Sequence, residues 1–120
     1  MNYNIKGTEV AITPELRGYV EKKLEHAGKF LDGDSTALAD VELDYSKVRD
    51  GDKYRAELTV SASGEVYRAE AWGTTMHAAI DASVGELVKE LSRGKKKRIH
   101  LLRRGAGRVK DFVRGFRDRF

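Results

Sequence analysis

Three stretches of the sequence alternate between apolar and polar side chains, and this pattern limits the fold more than any other feature. The stretches are residues 37–45, 53–62 and 65–72. Successive side chains of a strand point to opposite faces, so a period of two predicts strands that are buried on one face only. Such strands are typical of an antiparallel sheet with one solvated face. The predicted inward residues are Ala39, Val41, Leu43, Tyr45, Tyr54, Ala56, Leu58, Val60, Ala62, Tyr67, Ala69 and Ala71.

Turn residues separate these strands, and a fourth strand is predicted near the N-terminus. Residues 49–52 (Arg-Asp-Gly-Asp) and the pair Ser63-Gly64 have turn chemistry. In residues 2–6, Tyr3 and Ile5 alternate with polar neighbours, which predicts a short strand that ends before Gly7.

Two helices are predicted from capping residues and apolar stripes. Thr13-Pro14-Glu15 is a strong helix start, and apolar residues recur at helical spacing from Leu16 until residues 32–35 end the helix. A second stripe runs from Met76 to Leu91, with Thr74 or Thr75 as the cap. Gly94 then either ends this helix or weakens it before the basic run at 95–98.

The predicted fold is α+β, with the order β-α-β-β-β-α. Two helices on one face of a four-stranded, mostly antiparallel sheet would bury both apolar stripes and the inward strand residues in one layer. We expect one domain over residues 1–98 and a basic, amphipathic C-terminal extension over residues 99–120.

Charge is distributed unevenly along the chain. Residues 1–92 hold eleven Lys or Arg and seventeen Asp or Glu, a net charge of −6, whereas residues 93–120 hold twelve and two, a net charge of +10. A dense basic segment usually binds a polyanion. The outward positions of the sheet are acidic and would repel RNA, namely Asp40, Glu42, Asp44, Glu57 and Glu70.

Three interpretations of the extension stay open. It could lie along RNA, with arginines on phosphates and phenylalanines on bases or on a protein partner. It could lie on an anionic membrane and make the protein a peripheral membrane or protein-interaction module. It could fold back on its own domain or pair with another copy.

The sequence gives little support to catalysis or metal binding. There is no cysteine, so disulfides and thiolate chemistry are excluded. His26, His77 and His100 lie in separate elements without ligand spacing, and no nucleotide-binding loop occurs. We therefore expect no enzyme activity, no metal and no cofactor. No signal peptide or apolar membrane span is visible, which predicts a cytoplasmic protein.

Several short segments have a specific order and spacing. They are Asn4–Gly7, Val10–Arg17, Val20–Leu24 and Met76–Asp81, the last followed by Leu87–Leu91 and a basic run. With this order, residues 2–98 resemble the ribosome hibernation promoting factor family, also called ribosome-associated inhibitor A, protein Y or the sigma-54 modulation protein family.

The resemblance implies a fold and a function. Members fold as β-α-β-β-β-α, similar to double-stranded-RNA-binding domains, and bind the small ribosomal subunit in the channel between its head and body. There they overlap the mRNA path and the A- and P-site tRNA positions, which blocks translation and protects idle ribosomes. The implied partners are 16S rRNA and ribosomal proteins of the decoding channel, with mRNA and tRNA as competitors and no membrane.

The resemblance also implies that basic residues of the two helices contact rRNA. These are Lys22, Lys23, Lys29, Lys89, Arg93, Lys95 and Lys97, and the run is extended by Lys96 and Arg98. Tail contacts are expected from Arg103, Arg104, Arg108, Phe112, Arg114 and Phe116. Without the family, the helix residues are explained as solvated surface whose charges pair with nearby glutamates.

The sequence departs from the family in three respects. Long members add a linker and a C-terminal dimerisation domain, which we do not expect in 120 residues. Short members end soon after the second helix or carry an acidic tail, and the basic, Phe-rich residues 99–120 match neither form. His77 stands where Tyr is common, and Gly94 falls where the family's helix usually continues.

Overall fold

The predicted order of elements is confirmed. The structure is a computed structural model that describes residues 1–31 and 36–103, with side chains described as far as residue 94. The elements are β1 (Asn2–Thr8), α1 (Pro14–Gly28), a 3₁₀ turn (Lys29–Leu31), β2 (Leu38–Tyr45), β3 (Tyr54–Ala62), β4 (Glu65–Gly73) and α2 (Met76–Arg103).

The four strands form one mixed sheet in the order β1-β2-β3-β4. β1 and β2 are parallel, while β2, β3 and β4 are antiparallel to their neighbours. A parallel pair requires a crossover connection, and α1 supplies it. Val41 of β2 lies opposite Ile5 of β1 and Leu58 of β3, so the inward positions of neighbouring strands meet in one layer.

The core lies between the sheet and the two helices. Most inward residues of β2 and β3 and most of the stripe residues of both helices are buried, which confirms the faces predicted from periodicity, while Tyr45 and Tyr54 at the end of the strand pair are half-buried. Burying one leucine, isoleucine or valine side chain stabilises the fold by about 1.5–3 kcal/mol. The largest fully buried apolar side chains are Leu24, Leu43, Leu58, Ile80, Leu87 and Leu91.

Threonine side chains cap both helices. The Thr13 hydroxyl accepts a hydrogen bond from the Leu16 amide at 3.1 Å, and the Thr75 hydroxyl accepts one from the Ala78 amide at 3.0 Å. Thr75, rather than Thr74, is therefore the cap of α2. α1 ends at Gly28 and tightens into the 3₁₀ turn, earlier than predicted; residues 32–35, the predicted end, lie outside the described residues.

β1 is longer than predicted. It continues through Gly7 to Thr8, and the carbonyl oxygen of Val10 occupies the space in which a Cβ at position 7 would lie. Gly7 therefore accommodates the chain as it turns back over the strand, and its presence does not mark the end of β1.

α2 runs back along β4 and continues past Gly94. A Cβ at position 73 would lie 2.6 Å from the backbone nitrogen of Ala79, and a Cβ at position 94 would lie 2.9 Å from the Tyr67 hydroxyl. The prediction that Gly94 interrupts the helix is wrong, since the glycine instead makes room for Tyr67. The nine residues after Gly94 add about 13 Å of helix at 1.5 Å per residue.

Candidate nucleic-acid interface

α1 and α2 lie side by side and run in the same direction. The Glu15 carboxylate of α1 is 3.0 Å from Nε2 of His77 in α2. Two turns further along α1, Nζ of Lys23 is 3.4 Å from the carboxylate of Asp81, which lies one turn further along α2. Both predicted groups of helical cations therefore belong to one continuous helical layer, on the side of the sheet that holds the core.

Tyr19 lies at the centre of the contact between the two helices. Its hydroxyl donates a hydrogen bond of 2.6 Å to the Asp81 carboxylate, and its ring meets the His77 ring edge to face, with centroids 4.4 Å apart. The hydrogen bond to Asp81 favours the protonated phenol, and it raises the pKa of Tyr19 to about 12. His77 is therefore an interhelical contact in this fold.

The predicted basic residues of α1 differ in their surroundings. Lys22 and Lys29 are exposed. Lys23 is only partly exposed, because its ammonium pairs with Asp81 and lies 5.4 Å from the centre of the Tyr19 ring. Lys22 and Lys29 are consequently available to a partner, whereas Lys23 is held in the contact between the helices.

Lys89 and Arg93 of α2 are exposed and paired along their own helix. Lys89 lies 3.2 Å from Glu86, and Arg93 lies 3.0 Å from Glu90. Their side chains remain 65% and 69% exposed, respectively. The predicted pairing with helix neighbours is therefore present, at a spacing of three residues. Exposed pairs of this kind contribute about 0.2–1 kcal/mol, so another anion can replace the glutamate at little cost.

The excess positive charge lies at the C-terminal end of α2. From residue 76 to residue 94 the helix holds three acidic and two basic residues, whereas from 95 to 103 it holds five basic residues and no acidic one. The backbone places Lys95, Lys96, Lys97, Arg98 and Arg103 on this last segment of helix. Cations there also complement the negative end of the helix dipole.

The predicted tail contacts beyond Arg103 lie outside the described residues. They are Arg104, Arg108, Phe112, Arg114 and Phe116.

The open face of the sheet carries the acidic side chains, as predicted, and Arg55 is bound among them. Its guanidinium donates to Asp44 at 2.6 Å, to Glu70 at 2.9 Å and to Glu57. The hydrogen bond from Arg55 holds the pKa of Glu70 below its usual value, and these carboxylates raise the pKa of Arg55. A cation in the middle of the face therefore reduces the repulsion among its carboxylates.

Trp72 also lies on the open face, at the end of β4. The Arg49 guanidinium from the β2–β3 loop stacks 3.6 Å from the centre of its ring. Trp72 is therefore in contact with a residue of the β2–β3 loop. A cation–π contact of this kind contributes about 0.5–1 kcal/mol at an exposed site.

Among residues 1–31 and 36–103, no three His, Asp or Glu side chains form a group that could hold a metal ion. His26 is exposed on α1, and His77 is engaged with Glu15 and Tyr19. Over the same residues, no helix is long and apolar enough to cross a membrane.

Sequence reasoning missed the contact between Tyr19 and Asp81 and the position of Arg55. Tyr19 and Asp81 are 62 residues apart, and no local pattern links them. The alternation along β3 predicts that Arg55 faces outward, but it does not show that carboxylates from three strands meet there.

These features define a class: a two-layer α+β domain of β-α-β-β-β-α order, with helical cations on one side and an acidic sheet on the other. The chain belongs to the family of sigma 54 modulation protein / S30EA ribosomal protein, whose model matches residues 3–99.

Similar curated proteins and solved structures support membership of this family. The chain is 36% identical to the ribosome hibernation promotion factor of Picosynechococcus over 98 residues, 81% of this chain and 50% of that relative. It is 31% identical to the ribosome hibernation promoting factor of Escherichia coli over 97 residues, 81% of this chain and 96% of that relative. The crystal structure of the Thermus thermophilus Protein Y N-terminal domain superposes with a TM-score of 0.68 at 34% identity, covering 78% of this chain and 98% of that one.

Relatives in this family differ in length. The chain spans about half the length of several curated relatives that it matches, including the Picosynechococcus protein, and nearly the whole length of the Escherichia coli protein.

Proposed function

We propose that this protein is a ribosome hibernation factor. It binds the small ribosomal subunit in the mRNA and tRNA channel at the decoding region, blocks translation there and stabilises inactive ribosomes in the cytoplasm. Support comes from the family match over residues 3–99 and from relatives that carry the name ribosome hibernation factor. The proposed action is binding and requires no catalytic group.

The observation that carries this proposal is the separation of charge between the two faces. Exposed cations lie on the helical layer, and five further basic residues follow Gly94 on α2, whereas the open sheet face carries a cluster of carboxylates around Arg55. An RNA partner would approach the helical layer and avoid the sheet. Lys22, Lys29, Lys89, Arg93 and the run 95–98 are the proposed rRNA contacts, with Lys23 positioned by Asp81 beside them.

Binding through these residues would be strong, salt-sensitive and nearly independent of base sequence. Each lysine or arginine that neutralises a phosphate releases condensed counterions. Phosphate contacts fix position and carry no sequence information. Inhibition is then a matter of mass action, because the bound protein and the mRNA or tRNA would need the same space.

Two charge-reversal variants, one test and one control, examine the proposed rRNA-binding surface. The test variant is Lys22→Glu/Lys89→Glu/Arg93→Glu, which leaves Lys23 and its contact with Asp81 in place. The matched control is Lys6→Glu/Lys47→Glu/Arg68→Glu, which changes the same charge at exposed positions of β1, the β2–β3 loop and β4. We expect the test variant to lose cosedimentation with small subunits at moderate salt and to stop inhibiting translation, while the control retains both.

Equal cosedimentation of the two variants would show that the helical layer is not the ribosome-binding surface. Flotation with anionic vesicles tests the alternative that residues 99–120 anchor the protein to a membrane. Flotation that depends on residues 99–120, without cosedimentation with ribosomes, would overturn the proposed function.

A further inference from the structure

The chain leaves the folded domain at one particular end of the sheet. α2 passes Ala79 beside Gly73 and Gly94 beside Tyr67, so it runs from the C-terminal end of β4 towards its N-terminal end. Residues 95–103 then carry the helix beyond Tyr67. The last described residue, Arg103, therefore lies about 13 Å of helix beyond Tyr67, past the end of the sheet at which β4 starts and β3 finishes.

The open face of the sheet presents an apolar row at this same end. Leu38 of β2 lies opposite Ser61 of β3, which lies opposite Val66 of β4. Leu38 is 38% exposed and Val66 is 59% exposed, and they are two of three large apolar side chains exposed among the described residues. This exposed row lies at the end of the sheet towards which α2 runs.

Acidic rows follow immediately behind the apolar row. Asp40 lies two residues along β2, in a row that also holds Arg68 of β4. The next row sets Glu42, Glu57 and Glu70 directly opposite one another across three strands, with Lys6 of β1 opposite Glu42. Like charges in directly opposed positions destabilise a sheet. Arg55 pairs with Glu57 and Glu70 and leaves Glu42 without an ion-pair partner among the described residues.

The face has a concave region at these rows. A shallow depression of about 270 Å³ lies between β1, β2 and β3. Its polar lining includes Asn4, Lys6, Asp40, Glu42, Glu57 and Thr59.

The sequence of residues 104–120 complements this face in both charge and apolar character. It holds six basic and two acidic residues together with Phe112, Phe116 and Phe120. Seventeen residues can span up to about 56 Å at 3.3 Å per residue, while the return past the helix beyond Tyr67 and along the strand from Ser61 to Glu57 covers about 26 Å. The segment is therefore long enough to return over the end of the sheet and reach Glu42 and Glu57.

We propose that residues 104–120 bind the open face of this chain's own sheet. The phenylalanines cover the row of Leu38 and Val66, and the arginines pair with Asp40, Glu42 and Glu57. A polyanion and the sheet then compete for the same cations, so the segment covers the sheet in the free protein and is released when RNA binds.

Paramagnetic relaxation in the full chain tests this contact. The protein contains no cysteine, so Gly115→Cys provides a single attachment site for a nitroxide without altering a charge or a phenylalanine. We expect amide signals of residues 38–42, 57–61 and 66–70 to lose most of their intensity at low salt, while those of α1 keep theirs. The loss should disappear in about 1 M salt, where the Debye length is about 3 Å.

Three pairs of substitutions test which residues make the contact. Asp40→Lys/Glu42→Lys should restore the signals, whereas the matched Glu25→Lys/Glu86→Lys on the helical layer should leave the pattern unchanged. Leu38→Ser/Val66→Ser, at exposed positions, should weaken the contact without unfolding the sheet.

Three results would overturn the proposed contact. One is signal loss over the helical layer or none at all. Another is signal loss that Asp40→Lys/Glu42→Lys does not change. The third is equal loss when labelled protein is mixed with ¹⁵N protein that carries no label, which would assign the contact to a second copy. Each readout uses the free protein, so failure here leaves the ribosome-binding test unaffected.

Discussion

Gly73 is a residue at which α2 approaches β4 too closely for any side chain. A Cβ at this position would lie 2.6 Å from the backbone nitrogen of Ala79. Backbone atoms in the first turns of α2 can move only if the helix shifts against the core. Gly94 is a milder case, since the atom that a Cβ would meet is the end of the Tyr67 side chain.

Gly73→Ala should therefore destabilise the protein by about 1–3 kcal/mol, the usual cost of overpacking. Gly85→Ala is the matched control, because that position is exposed on α2 and a Cβ there would meet nothing within 4 Å. The control should stabilise the protein by about 0.5–1 kcal/mol through helix propensity. Urea unfolding measures both, and equal stability of Gly73→Ala and the wild type would contradict the close packing.

At the scale of elements, the two helices are joined by a polar contact as well as by the core. Tyr19 and Lys23 of α1 both reach Asp81 of α2, and Glu15 reaches His77. The contact fixes which turns of the helices meet. It also sets the position of Lys23 within the basic layer.

Alkaline titration tests the bond between Tyr19 and Asp81. The pKa of Tyr19 is raised from 10.0 to about 12, so the folded protein holds this proton more tightly than the unfolded chain. The stability that this provides is fully present below pH 10 and is lost as the pH rises towards 12. Asp81→Asn should lower the pKa of Tyr19 towards 10.

The measurement is the difference in tyrosinate absorbance between the wild type and Tyr19→Phe, repeated in the Asp81→Asn background. If the difference already titrates near pH 10 in the wild type, the hydrogen bond is not maintained in solution.

The open face of the sheet also has a polar contact that joins elements. Arg55 binds carboxylates from β2, β3 and β4, so one residue links three strands on the open face. One Asp44 carboxylate oxygen is buried without a hydrogen-bond partner, while the other accepts from Arg55. The network therefore depends strongly on this single guanidinium.

At the scale of the whole molecule, two faces of opposite character have opposite proposed partners. The helical layer carries exposed cations for RNA phosphates, and the open sheet face carries carboxylates for the basic residues 104–120. The whole-chain charge of +4 conceals this arrangement.

The salt dependence of small-subunit binding tests which face contacts RNA. Lys89→Ala should reduce the slope of log K against log[salt] by about 0.7–0.9, the effect of losing one phosphate contact. Lys6→Ala, an exposed cation on the open face, is the matched control and should leave the slope unchanged. An equal change of slope for both variants would indicate a general effect of net charge, with no preference between the faces.

Much of the fold could be predicted from the sequence. Alternation over residues 37–45 and 53–62 and the stripes of both helices identified the elements and their buried faces. Thr13 identified the start of α1. Each of these signals reflects the geometry of a single element, two residues per repeat in a strand and 3.6 in a helix, so it is present in the local sequence.

Tertiary structure alone decided how those elements meet. The pairing of Tyr19 with Asp81, the three carboxylates around Arg55 and the passage of α2 through Gly94 all join residues that are distant in sequence or depend on a neighbour's packing. Gly94 is the clearest case, because a glycine weakens an isolated helix, yet here the space that it leaves accommodates Tyr67. The sequence by itself determined which faces are buried, and the contacts between elements decided where the helical cations lie and how closely α2 packs on β4 at Gly73 and Gly94.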